Sequence, residues 1–189
     1  ESLADLVKKL TADMTVYAPV KEADNVVYAV LEEGKEPFLA YKNTKDAPKN
    51  LFFPQAETLL RFMRTPRGME LEEDEAGKAK EAVLFGVRPC DARSFFLLDA
   101  LFNQDQWKDP YYIERREKTT VVSLGCVHPP YTTCFCTSVG GHPLSTDGAD
   151  VLLTDLGDSY LAEFLTAKGE ALLAKWGDLP KADEEADKK

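Results

Sequence analysis

Three of the chain's four cysteines, Cys126, Cys134 and Cys136, stand within eleven positions in GCVHPPYTTCFCTS; the fourth, Cys90, lies upstream in GVRPCDAR. A thiolate is a nucleophile and a soft metal ligand, so four of them admit a metal site, disulfides or inert core thiols. Four thiolates converging from a loop-rich corner would suit a [4Fe-4S] or [2Fe-2S] cluster. The small hydroxyl and glycine residues of TTCFCTSVGG would let backbone N–H groups approach cluster sulfurs. Zinc sites usually present paired C-x2–4-C knuckles, and none occurs here, although His128 and His142 offer substitute ligands. Disulfides match the even count but suit secreted chains better than a reducing compartment. Cysteine is also among the most buried residue types. A thiol oxidoreductase has little support, because the close pair is C-x-C and no C-x-x-C is present. On spacing alone, iron–sulfur, zinc and inert or redox thiols all stay open.

The elements that must position these thiols follow from apolar pattern. EAVLFGV is a continuous apolar run, as expected for a strand buried on both faces. RPC then turns the chain into a helix, DARSFFLLDALFN, with Phe95, Leu98 and Phe102 along one stripe. Cys90 falls where that helix opens, and a helix N-terminus favours thiolate over thiol. DPYYIERREK gives a second helix with Pro110 at its first position, and TTVVSLGC a second buried strand ending at Cys126. Strand, helix, helix, strand predicts a right-handed crossover and a parallel pair. The C-termini of parallel strands share one sheet edge, so Cys90 and Cys126 are expected to meet there across 35 intervening residues. Ligands gather at that edge in open α/β sheets.

Around this core the sequence predicts further elements. SLADLVKKLTAD reads as a helix capped by Ser2, TVYAPV and NVVYAVLE as strands joined at EADN, and KNTKDAPKNLFFP as a loop. QAETLLRFM has Ala56, Leu59, Leu60 and Met63 at helical spacing and reads as a short helix. TPRGMELEEDEAGKAKE is expected to be a charged surface excursion with a partial helix. DVLLTDL and SYLAEFLT read as strands and AKGEALLAKWGD as the last helix. The expected class is α/β, a mixed sheet with a parallel core pair and flanking helices, and the cysteine site at the C-terminal edge of the strands. One α/β domain is expected over residues 1–177, with 178–189 a charged tail.

Composition narrows function. A net charge of −10 and a pI near 4.8 argue against nucleic acid, which needs a basic face. No apolar run approaches a membrane span and no signal peptide opens the chain, so a cytoplasmic location is expected. No G-x-G-x-x-G or P-loop supports nucleotide or flavin binding, and no Ser-His-Asp candidate appears. Arg88 and Arg93 flank Cys90, and Arg115 and Arg116 precede the second strand. They would raise the potential of an anionic cluster nearby, or simply pair with Asp91, Asp99 or Glu117. Asp91 reads as a helix N-terminal acid and His128 as an exposed loop residue.

VYAPVKE, NLFFPQAETLLRF, LFGVRPCDARSFFLLDALF, DPYYIERREKTTVVSLGC and CFCTSVGG, in that order over about residues 16–160, resemble one iron–sulfur family. It comprises the sulfhydrogenase beta subunit and the anaerobic sulfite reductase A subunit, electron-transfer parts of multi-subunit redox complexes. The cysteine-bearing blocks are its most specific part. The resemblance implies that Cys90, Cys126, Cys134 and Cys136 hold one cluster, of the [4Fe-4S] type by expectation. It further implies a non-catalytic electron-transfer part of an anaerobic oxidoreductase, with flavin, catalytic and ferredoxin-type subunits as partners. The family carries two C-x2-C-x2-C-x3-C-P motifs after this region, and this sequence contains neither, so an N-terminal fragment is expected. The reading from another class is a zinc- or disulfide-stabilised interaction module for subunit assembly.

Overall fold

The computed structural model describes residues 2–72 and 79–182. It opens with α1 (Leu3–Asp13), capped by Ser2 in a reciprocal capping box with Asp5. Strands β1 (Thr15–Glu22) and β2 (Asn25–Val30) form a hairpin, as expected. Next come β3 (Arg61–Thr65), β4 (Gly68–Glu72) and the fully buried β5 (Ala82–Val87). Helices α2 (Pro89–Phe102) and α3 (Pro110–Lys118) lead to β6 (Thr119–Leu124). After a long loop, β7 (Val151–Asp155), β8 (Tyr160–Phe164) and α4 (Ala167–Trp176) follow.

The main sheet has six strands in the order β2-β1-β5-β6-β7-β8. Strands β1, β5, β6 and β7 run parallel, and the two outer hairpins close the sheet with antiparallel edges. The expected parallel pair is thus the middle of a four-strand parallel core. Parallel strands need cover on both faces, and the sequence supplies it. Leu6, Val7 and Leu10 of α1 and Leu172 and Trp176 of α4 pack with Val83, Phe85, Val122, Val151 and Leu153. On the other face, Phe95 of α2, Tyr112 of α3 and Phe52 pack with Leu84, Val87 and Val121.

Strand β5 departs from strict alternation at Gly86. The register with β6 shifts between Phe85 and Val87, and Gly86 takes φ +74. This bulge returns Val87 to the face of Leu84, and it re-aims the chain into α2. A Cβ at Gly86 would sit 3.0 Å from the Leu39 side chain, in a backbone region that L residues rarely adopt. Across the sheet, a buried polar knot ties β6 to β7 and α4. The Asp150 carboxylate accepts the Val121 N–H at 2.8 Å and the Thr166 hydroxyl at 2.6 Å, and Lys168 lies 3.3 Å away.

Two expectations need correction. Residues 55–63 do not form a helix: 55–60 are irregular, and Arg61–Thr65 pair with Gly68–Glu72 through a two-residue turn at Pro66–Arg67. The helical spacing misleads because Leu59, Leu60 and Met63 are exposed, so no core stripe selects a helix. The turn residues and local β-formers decide instead. The expected partial helix in 65–81 lies in part outside the described residues; its described N-terminal part is strand β4. The loop over 42–54 contains a short 3-10 turn, Pro48–Leu51, and drives Phe52 completely into the core.

Candidate metal centre

The bulge at Gly86 delivers Arg88 as the N-cap of α2, with Pro89 at its first position and Cys90 next. The backbone N–H groups of Cys90 and Asp91 lie near enough to the Cys90 sulfur to favour its thiolate, although the Asp91 N–H donates to the Arg88 carbonyl at 2.9 Å. That is the helix-start geometry the sequence implied. Its electrostatic outcome in the free thiol differs, however. Burial pushes the Cys90 thiol up to about 11, and the Asp91 carboxylate adds to the shift, more than the two N–H groups recover. Asp91 is itself raised by burial, opposed by Lys49 and Arg88. A helix N-terminus is therefore too weak here to hold a bare thiolate.

Strand β6 ends two residues before Cys126. The Gly125 N–H donates to the Leu153 carbonyl at 2.7 Å and the Cys126 N–H to the Pro143 carbonyl at 2.9 Å. Both ends of the cysteine loop are thereby pinned to the C-terminal edge of the sheet. Within the loop, the Cys134 N–H reaches the Tyr131 carbonyl, and Cys136 opens a 3-10 turn, Cys136–Val139. Gly140, in the left-handed region at φ +72, ends that turn, and the Gly141 N–H returns to the Cys136 carbonyl at 2.8 Å. A Cβ on Gly141 would lie 3.1 Å from that carbonyl oxygen and 3.2 Å from Arg93 Nη1. The second glycine is thus what lets Arg93 lie against the loop.

Cys126 is electrostatically coupled to the other three thiols: it raises Cys90, and Cys134 and Cys136 raise it. Burial is the larger cause of the Cys126 shift, and Arg88 opposes it. All four cysteines are free, with Cys126 and Cys136 half-buried and Cys90 and Cys134 exposed as residues, although the Cys90 sulfur itself sits partly desolvated against the chain. Among the described residues, no group of three or more His, Cys, Asp or Glu side chains is placed to hold a metal ion.

Positive charge surrounds this corner. Arg88 stacks on the Tyr41 ring at 4.6 Å and donates to the carbonyls of Tyr41 and Gly125. Tyr41 and Tyr28 share a hydroxyl contact of 3.0 Å and both donate to the Gly86 carbonyl. Burial raises both phenols, Tyr41 to about 12, so they act as neutral donors. Arg93 approaches Asp147 at 3.9 Å. Among the described residues, Arg88 Nε and Arg93 Nη1 here, like Arg116 Nη1 and Trp176 Nε1 elsewhere, are buried donors without a hydrogen-bond partner. Such groups cost stability unless something accepts from them. Thiolate sulfurs or an anionic group at the loop would do so, and a four-sulfur donor set is the chemistry such a group requires.

Arg115 and Arg116 do not join this corner. They pair with Glu57 at 2.6 Å and Asp99 at 3.2 Å. His128 is exposed, and the His142 ring accepts the Leu144 N–H at 3.1 Å as a turn cap. Tyr28, Tyr41 and Lys49 were not singled out from sequence. An aromatic opening the otherwise polar run YKNTKD was the available signal for Tyr41.

The chain is 30% identical over 154 residues to the Sulfhydrogenase 2 subunit beta of Pyrococcus furiosus, a match covering 82% of this chain and 43% of that protein. This chain is related to the sulfhydrogenase beta subunits. It spans less than half the length of the relative it matches. No protein-family model and no solved structure matches the sequence. Among the described residues, no helix is long and apolar enough to cross a membrane.

Proposed function

We propose that this sulfhydrogenase-beta-related chain is an electron-transfer part of a multi-subunit redox complex. Residues 1–177 form its α/β unit, and Cys90, Cys126, Cys134 and Cys136 hold one iron–sulfur cluster there, of the [4Fe-4S] type. The observation that supports the reading is the parallel pairing of β5 and β6, with Cys90 three residues past the end of β5 and Cys126 two residues past the end of β6, at the same edge of the sheet. When bound, the cluster supplies reversible one-electron chemistry, and the chain's own residues determine where and at what potential. Cys90 contributes a sulfur in the first turn of α2. Arg88 and Arg93 place positive charge and spare N–H donors against the loop. Phe135, between the two loop cysteines, is 66% exposed and keeps this corner at the surface, where an electron partner has access.

The absence of paired C-x2–4-C knuckles in the sequence favours a cluster over zinc. A single zinc ion draws four sulfurs to about 3.8 Å from one another, at Zn–S bonds of about 2.3 Å. A cluster spreads its ligands over several irons. The parent reaction we assign is of the hydrogenase type, in a cytoplasmic, anaerobic complex, by relation to the sulfhydrogenase beta subunits.

The test is purification without oxygen, followed by visible and EPR spectra and by iron, zinc and acid-labile sulfide counts. Iron and sulfide near four per chain, with large losses on Cys134→Ser or Cys136→Ser, are expected. Stoichiometric zinc without sulfide would overturn the assignment in favour of an assembly module.

A further inference from the structure

The β3–β4 ribbon stands apart from the six-stranded sheet and forms a two-stranded sheet by itself. A lone hairpin is marginally stable in water, so its sequence should be strongly polar if it stayed free. The opposite holds. Phe62 pairs with Leu71 and Arg64 with Met69, which puts Phe62, Arg64, Met69 and Leu71 on one face. Phe62, Met69 and Leu71 are 61%, 71% and 76% exposed. The foot of the ribbon is anchored rather than loose: Tyr111 of α3 donates its hydroxyl to the Leu59 carbonyl at 2.8 Å, and Arg115 holds Glu57. Phe53, just before it, stacks at 4.9 Å on Phe102 of α2.

The ribbon is of mixed charge, with Arg61, Glu70 and Glu72 away from its tip, and only its turn end is basic. Its turn end carries Arg64 and Arg67 on a chain whose net charge is −10. Phenylalanine, methionine and arginine are the residue types enriched at the cores of protein–protein interfaces. A second copy of so acidic a chain would bring its net repulsion to the contact, whereas a carboxylate-edged partner would complement the two arginines.

We infer that the apolar face of the β3–β4 ribbon, with Arg64 and Arg67 at its tip, docks another subunit of the redox complex, one presenting an apolar patch edged by carboxylates. This rests on the reading of the chain as a subunit of such a complex, and it is independent of the cluster. The ribbon lies outside the main sheet, so polar substitutions on its exposed face leave the two cores intact.

The experiment uses the full-length natural protein, tagged in its own host and purified with its complex at low salt. Hydrogen exchange is compared between the complex and the isolated full-length protein. Amides of 61–71 are expected to be protected at least tenfold in the complex, in contact with a subunit identified by cross-linking and mass spectrometry. Phe62→Ser with Leu71→Ser should abolish that contact, and Arg64→Glu with Arg67→Glu should weaken it at least tenfold, while the melting temperature of the isolated protein stays unchanged. An intact complex in which 61–71 exchange as in the isolated protein overturns the inference and leaves the subunit reading standing. So does a ribbon buried in a homodimer that the Phe62→Ser/Leu71→Ser pair dissociates. Purification with no other subunit overturns both.

Discussion

At the scale of single residues, Cys90 carries the sharpest chemistry. Its thiol is held up to about 11 by burial and by Asp91, so in the metal-free chain it stays protonated at neutral pH. Alkylation of Cys90 by iodoacetamide, followed by peptide mass spectrometry, is expected to be slow near pH 7 and to accelerate through pH 11. Asp91→Asn removes a repelling carboxylate, which lowers the Cys90 pKa and shifts that profile to lower pH; an unmoved profile would mean Asp91 is not the cause. The same variant bears on stability. Asp91 has a native pKa above its unfolded value, so its contribution is full below the unfolded pKa and is lost as pH rises through the native one. Asp91→Asn should therefore stabilise the chain at neutral pH and make no difference well below pH 3.8, as read from urea midpoints. Arg93 is the second residue to probe. Replacing it by Gln removes a positive charge beside the cysteine loop, which disfavours the more negative reduced state. The midpoint potential of the loaded chain should fall by on the order of tens of millivolts in an EPR-monitored titration. Arg93→Lys should recover most of that fall, since it keeps the charge.

At the scale of elements, the bulge in β5 governs where the site is built. Without the extra residue at Gly86, Val87 would point to the other face and Arg88 would not cap α2 beside the end of β6. Gly86→Ala places a Cβ 3.0 Å from Leu39 at a φ of +74. A cost of about 1–3 kcal/mol is expected from the backbone alone, measured as a lowered urea midpoint. The carbonyl of Gly86 accepts from both Tyr28 and Tyr41, so the strain is distributed over the Arg88 seat. Iron retention should then fall along with stability. Unchanged stability would show that the chain accepts a side chain at the bulge. How readable such elements are depends on what selects them. Strand β5 and helix α2 were legible because a buried apolar run and a proline-started helix are locally encoded. The β3–β4 ribbon was not, because its apolar residues face no core and so obey no burial period.

At the scale of the whole molecule, charge sets the response to salt. The chain carries −10, and self-repulsion of like charge opposes the compact state. Raising potassium chloride from about 0.01 M to about 1 M shortens screening from roughly 30 Å to roughly 3 Å. The urea midpoint should rise across that range, most steeply at its low end. A falling midpoint would mean that pairs such as Arg115–Glu57 and Lys8–Glu36 outweigh net repulsion.

The sequence by itself determined the class of the fold, the strands and helices of the core, the Ser2 cap, the Pro110 helix start, and the cysteines around which a centre could form. Each of these follows from short-range rules: apolar period, β-branched content, capping and proline chemistry act within a few residues of the chain. The tertiary structure alone decided that four strands run parallel and that Phe52 plugs the α2–α3 face. It also decided that Tyr41 seats Arg88 and that Arg93 lies against Gly141. These are contacts between segments 29 to 67 residues apart, selected by how two sheet faces fill and by which buried donors find acceptors. No local period carries that information, and so the cysteines were visible in the sequence while the charged seat around them was not.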